Sequence, residues 1–249
     1  MSELGRTLGS GGASSLQKLD LKWECVTVGA VVGLAEGLGG GQMSSLEDLS
    51  LHAAYEDPKG ARALGEVLST GRAPSLRRVD FVWPASETLS SICEGLSVGN
   101  SPPPLMRMDL LLRASVSGLV DYSSAISRLS ETVRAGHMWF LRKIASSLLG
   151  INPQTLESFG EALAHANARL IHLEEVNFPM QSLSAEVFLR GVGRGGSCVP
   201  AVHTLSDSSG HPYTRGPALS PLSVLISKGK VPALREVKVD LVQSKLLEV

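Results

Sequence analysis

Cysteine, aromatic side chains and an excess of charge of either sign are all scarce in this chain, and each scarcity closes off a class of protein. The three cysteines among 249 residues, Cys25, Cys93 and Cys198, are odd in number and widely spaced, which excludes a disulfide framework and a CxxC metal site. Such usage suits a reducing compartment, so the cytoplasm is the expected location, with the nucleus as the alternative. The aromatic residues are 5 Phe, 3 Trp and 3 Tyr, and 23 Lys plus Arg stand against 24 Asp plus Glu, for a net charge of -1. A nucleic-acid binder needs a basic field and stacking platforms, and this sequence supplies neither. The longest apolar stretch, Cys25 to Ala35, is softened by glycine and ended by Glu36; it falls far short of the roughly 20 residues of a membrane helix. The opening residues Met1 to Arg6 lack the apolar core of a secretion leader, and none is expected. With 43% hydrophobic and 19% charged residues, the composition is that of a globular protein.

What is present in abundance is internal repetition. The segments Ser14 to Leu21, Ser44 to Leu51 and Pro74 to Phe81 align without gaps, and their first apolar residues, Leu16, Leu46 and Leu76, stand 30 residues apart. Apolar residues fall at relative positions 1, 4 and 6. The same frame continues at Leu105-Met108-Leu110, Leu173-Val176-Phe178 and Leu234-Val237-Val239, with weaker copies at Leu141-Ile144 and Val202-Leu205. Eight copies fit. The alternation at positions 4 and 6 is strand spacing.

An independent pattern precedes each copy. Leu34 with Leu38, Leu64 with Leu68, Ile92 with Leu96, Leu129 with Val133, Phe159 with Leu163, Phe188 with Val192 and Leu222 with Ile226 all keep an i,i+4 spacing, as do Leu4 and Leu8. That spacing puts both side chains on one face of a helix. Each unit therefore reads as strand, loop, helix, turn. Gly9, Gly39, Gly71 and Gly136 suit left-handed helix caps, and Pro74, Pro104, Pro200 and Pro232 stop the chain from continuing as helix. Successive strands joined by helices of this length must run parallel and lie side by side. Residues 1–110 hold the regular copies; residues 111–249 are more irregular, with a long connection at 111–125 and a polar insertion from Ser206 to Pro217.

This arrangement, L-x-x-L-x-L followed by a helix in a unit of about 30 residues, resembles the leucine-rich repeat, and its length resembles the ribonuclease-inhibitor-like subclass. The resemblance covers residues 1–249 and departs at the Asn or Cys expected eight residues after the first leucine, where Glu24, Ala54, Pro84 and Arg113 stand. It implies an α/β solenoid curved into a horseshoe, with about eight repeats, parallel strands on the concave face and helices on the convex face. A single unit cannot bury its own apolar faces, and the chain opens on a half-unit and closes just after a strand, so it is expected to be a monomer or part of a longer array.

Strand positions 3 and 5 point away from the apolar side and form two columns along such an array. Position 3 reads Lys18, Asp48, Arg78, Arg107, Lys143, Glu175, Thr204 and Glu236, and position 5 begins Asp20, Ser50, Asp80, Asp109, Ala145. The pattern fits a solvated face with weak cross-strand pairs. It equally fits a protein-docking surface built from Lys18, Asp20, Asp48, His52, Arg78, Asp80, Arg107 and Asp109 and flanked by Trp23 and Trp83. Trp and Arg are the residue types that anchor interfaces.

Chemistry is harder to find. Gly191 to Gly196 spells G-x-G-x-x-G but follows a helix and precedes a strand, the wrong order for a phosphate cradle, and reads as a turn. His203, Asp207 and His211 have a ligand-like spacing only on a helix, and they straddle a strand end and a loop. Serines fall mostly in turns, and Cys93 beside Ile92 reads as packing. No catalytic residue, cofactor or metal is expected. The expected function is a non-catalytic scaffold that binds another protein, with no nucleic-acid or membrane partner. Two alternatives stand: a regulator of a small GTPase, which the resemblance implies because some ribonuclease-inhibitor-like arrays activate GTPases, and the ligand-sensing part of a larger receptor or ubiquitin ligase.

Overall fold

Alternating burial along the strand at residues 48–52 fixes which way the sheet faces. The computed structural model describes residues 7, 10, 13–22, 30–52, 57–82, 84–99, 107–112, 121–146, 151–177, 183–202, 204–206 and 219–238. Eight strands form one parallel sheet in sequence order: β1 Lys18–Lys22, β2 Asp48–His52, β3 Arg78–Val82, β4 Arg107–Leu112, β5 Leu141–Ser146, β6 Glu175–Asn177, β7 Thr204–Ser206 and β8 Glu236–Lys238. Seven helices alternate with them among the described residues: α1 Ala30–Gly39, α2 Pro58–Ser69, α3 Ser86–Leu96, α4 Ser123–Arg134, α5 Pro153–Leu163, α6 Leu183–Arg194 and α7 Leu219–Ser227. In β2 the burial alternates strictly, with Leu49 and Leu51 buried toward the helices and Asp48, Ser50 and His52 turned to the other side. The result is an α/β arrangement of repeated strand and helix units.

The expected stacking holds for the first four strands. Leu19, Leu49, Val79 and Met108 are register partners, as are Leu21, Leu51, Phe81 and Leu110. The expected helical pairs Leu34 and Leu38, Leu64 and Leu68, Ile92 and Leu96, Leu129 and Val133, Phe159 and Leu163, and Phe188 and Val192 are buried in a single core.

Three expectations require correction. Aligning Met108 with Ile144 puts β5 two residues out of place. Leu110 pairs with Ile144 and Met108 with Leu141, with a bulge after Met108 that leaves Arg142 as the extra residue. The position-3 column therefore does not continue from Arg107 to Lys143; Lys143 stands beside Asp109. In α7 the buried partner of Leu222 is Leu225, not Ile226, which is 53% exposed. Gly39 is helical, and Gly41 takes the left-handed turn instead, whereas Gly71 and Gly136 take it as expected. Gly9 lies outside the described residues, as do most of the 111–125 connection and nearly all of the Ser206 to Pro217 insertion.

Local signals set the helix starts. Pro58 and Pro153 occupy first-turn positions, and the side chains of Asp57 and Asn152 accept the backbone N–H groups of Gly60 and Gln154 at 3.0 and 2.8 Å. Glycines set how closely the helices approach. A Cβ on Gly95 would sit 2.1 Å from the Arg62 carbonyl oxygen, and one on Gly65 would sit 2.4 Å from that of Ile92. Gly160 and Gly191 form the equivalent contact between α5 and α6, at 2.2 and 2.0 Å from the carbonyls of Phe188 and Glu157. Gly95→Ala gains about 1 kcal/mol of helix propensity but must separate α2 from α3, a strain of about 1–3 kcal/mol. The variant is expected to unfold at lower denaturant than the parent; an equal or higher midpoint in urea would show that the backbone contact is not tight.

Candidate docking face and its charged centre

The face of the sheet turned away from the helices carries most of the residues singled out from sequence. Lys18, Asp48, Arg78 and Arg107 form one lateral row of register partners. Asp20, Ser50, Asp80, Asp109, Lys143, Glu175, Thr204 and Glu236 form the next. Trp23 and Trp83 lie outside the described residues.

The rows converge on Asp109. Its Oδ2 lies 3.3 Å from Arg107, 3.5 Å from Arg142 and 3.7 Å from Arg78. Arg78 also grips Asp80 at two points, with Nε donating to Oδ1 at 3.0 Å and the second nitrogen 2.8 Å from Oδ2. That hydrogen bond, with the charges of Asp80, Asp109 and Asp48, holds the Arg78 guanidinium above its ordinary pKa despite partial burial. Arg142 donates through Nε to Glu174 at 2.7 Å, and Lys143 reaches Glu175 at 2.9 Å. The centre is not fully satisfied: Asp109 Oδ1 and Arg107 Nε are buried without hydrogen-bond partners.

Depth separates the charges. The side chains of Arg78, Arg107 and Arg142 are 41%, 34% and 26% exposed, whereas those of Asp80 and Asp109 are 14% and 6% exposed. Asp80 and Asp109 lie beneath the guanidiniums, whereas Glu174, paired with Arg142, lies at the surface. Beside this centre a third row on the same face carries His52 and the apolar Val82, Leu111 and Ala145, of which Val82 is buried and Leu111 and Ala145 are partly exposed.

Arg142 is the member that sequence reasoning missed. It occupies relative position 2, which precedes the strand in the regular copies, and only the bulge brings it onto the sheet. The second omission is the trio Asp20, Ser50 and His52. Ser50 Oγ lies 2.9 Å from His52 Nε2, and Asp20 Oδ1 lies 3.4 Å from the same nitrogen. A nucleophilic relay needs the acid on the opposite ring nitrogen from the hydroxyl. Both groups share Nε2, so the trio is not arranged as a relay.

Of the remaining chemical candidates, Gly191 and Cys93 are accounted for by packing. Gly191 and Gly193 lie within α6, which corrects the expected turn and makes Gly191 a helix contact. His203, Asp207 and His211 lie outside the described residues, and no group of three metal-ligating side chains occurs among those described. No described helix is long and apolar enough to cross a membrane. A cavity of about 20 Å³ behind Val176 and Leu205 is lined by apolar side chains and has no room for a substrate. Cys93 is fully buried, which pushes its thiol up to about 12, and Cys198 is free and exposed. No protein family matches the chain, and a search of curated proteins returns no similar sequence.

Three experiments test these contacts. Asp109→Asn removes the charge shared by three guanidiniums and is expected to cost about 1–3 kcal/mol, discounted for the partial exposure of the arginines; an unchanged thermal midpoint would mean that the cluster does not depend on Asp109. Iodoacetamide is expected to label Cys198 in the folded protein and Cys93 only after unfolding. Because burial raises the folded thiol of Cys93, its contribution to stability is complete below its ordinary value of 9.0 and is lost as pH rises toward about 12. Cys93→Ala should flatten that alkaline decline in a denaturation series.

Proposed function

We propose that the chain is a non-catalytic protein-interaction module of the leucine-rich-repeat type, closest in plan to the ribonuclease-inhibitor-like subclass, that holds a partner protein against the concave sheet face. The reading is supported by one observation above all: a charged cluster sits at the centre of that face with a buried carboxylate oxygen left unpaired. Ion pairs taken out of water seldom stabilise a fold relative to apolar residues of the same volume. A cluster of this kind is better explained by recognition than by stability, since charged groups across an interface set specificity and the rate of encounter. The neighbouring Leu111, partly exposed, supplies apolar area beside the arginines, the mixture that interface centres use.

The partner is another protein, and the module works as a monomer or within a longer chain; the cytoplasm is its proposed location. Panning a random peptide-display library against residues 1–249 tests the reading, with an Arg78→Glu and Arg107→Glu double variant, shown to be folded by circular dichroism, as the comparison. Peptides enriched on the parent are expected to be lost from the variant. An identical set on both proteins would remove the sheet face as the docking site.

A further inference from the structure

The vertical separation of charge on the sheet gives the partner a sign. Strands β3 to β5 carry four cations, Arg78, Arg107, Arg142 and Lys143, against two carboxylates, Asp80 and Asp109. Asp80 and Asp109 lie below the guanidiniums, so a molecule approaching between Asp48 and Glu174 meets cations first, although Arg142 and Lys143 are already paired with Glu174 and Glu175 on the β6 side. The balance reverses on either side. Asp48 on β2 lies on one flank, and Glu174 with Glu175 lies on the other. Neighbouring strands are about 4.8 Å apart, so the cationic patch is roughly 10 Å wide. Resting on the docking reading above, we infer that the partner contributes a short acidic segment, a few carboxylates within one turn of helix or one loop, that seats on Arg78, Arg107, Arg142 and Lys143.

Two features favour carboxylates on a protein over a nucleic-acid backbone. A polyanion longer than the patch would run onto Asp48 or onto Glu174 and Glu175 and be repelled, whereas a short acidic segment stops within it. Guanidiniums bind carboxylates at two points, as Arg78 already does with Asp80, and bind phosphates in the same way, so length and flanking charge decide between the two. Apolar Leu111 beside the cations suits a peptide's mixed side chains and offers nothing to a phosphate chain. The bulge also gains a function: without it Arg142 would precede the strand, and Asp109 would face two arginines instead of three.

The test uses the full chain and watches the arginine Nε–Hε resonances by NMR during titration with a tri-glutamate peptide, a tri-lysine peptide, inorganic phosphate and a short oligothymidylate. The expected result is a saturable shift of Arg78, Arg107 and Arg142 with tri-glutamate, none with tri-lysine, and loss of the shift in about 1 M NaCl, where the screening length falls to about 3 Å. Arg107→Gln should weaken binding by about tenfold, the equivalent of one charge-assisted contact. Shifts of equal size with phosphate or oligothymidylate would overturn the inference in favour of an unselective anion site. Silence with tri-glutamate would also overturn it. If display peptides still depended on Arg78 and Arg107 in that case, the docking reading would survive and only the acidic partner would fall; if they did not, both would fall.

Discussion

Each strand and helix unit can bury its apolar faces only against the units before and after it, and the rest of the molecule follows from that constraint. Leu49 on β2 and Leu64 on α2 are almost wholly buried, yet nothing within their own unit could enclose them. Parallel pairing to the adjacent strands is what excludes water. The pairing in turn requires that outward residues fall into lateral rows, because a shift of one residue would exchange the two faces. A charged surface with fixed spacing is thus a by-product of apolar stacking. Selection needs only to choose the residues in the rows.

Closeness between helices is the second consequence. Strands about 4.8 Å apart leave little room for helices of roughly 10 Å diameter on one side of a sheet. Gly65 against Gly95, and Gly160 against Gly191, let backbones touch where side chains would hold the helices apart. The equivalent surface between α3 and α4 is more polar, with Arg128 lying between Glu94 and Glu131. The packing of helices therefore varies from unit to unit while the strand ladder stays continuous.

Much of this was legible in the sequence because it depends on period. Position 4 and position 6 of β1 to β3 and the i,i+4 pairs of α1 to α6 recur at spacings that geometry alone translates into buried faces. What was not legible depends on neighbours in space. The step at β5 arises where Leu141 enters the strand and Arg142 becomes an extra residue, and a sequence frame anchored on Ile144 cannot register it. Leu225 and Ile226 both stand at acceptable helical spacing from Leu222, so periodicity could not decide between them. Asp20 and Ser50 were visible in one column and His52 as a separate docking candidate, but their convergence on one nitrogen requires the register between β1 and β2. Of the candidate site, the arginines of β3 and β4 were found and the third arginine was not.

That third arginine changes what the charged centre is. With Arg78 and Arg107 alone, the two carboxylates Asp80 and Asp109 would balance the patch, and the face would resemble any solvated sheet with cross-strand pairs. Arg142 adds a cation without adding a carboxylate to the same strands, and Lys143 adds another. The compensating acids, Glu174 and Glu175, are displaced to the β6 side. Near-neutrality of the whole chain is thereby compatible with a local field of one sign. Over a patch roughly two strand spacings wide, comparable with a Debye length of about 8–10 Å, that local arrangement governs an approaching group more than the net charge does. The overall charge argues against broad binding to polyanions, and the local layering argues for a short one; the two statements concern different lengths and do not conflict.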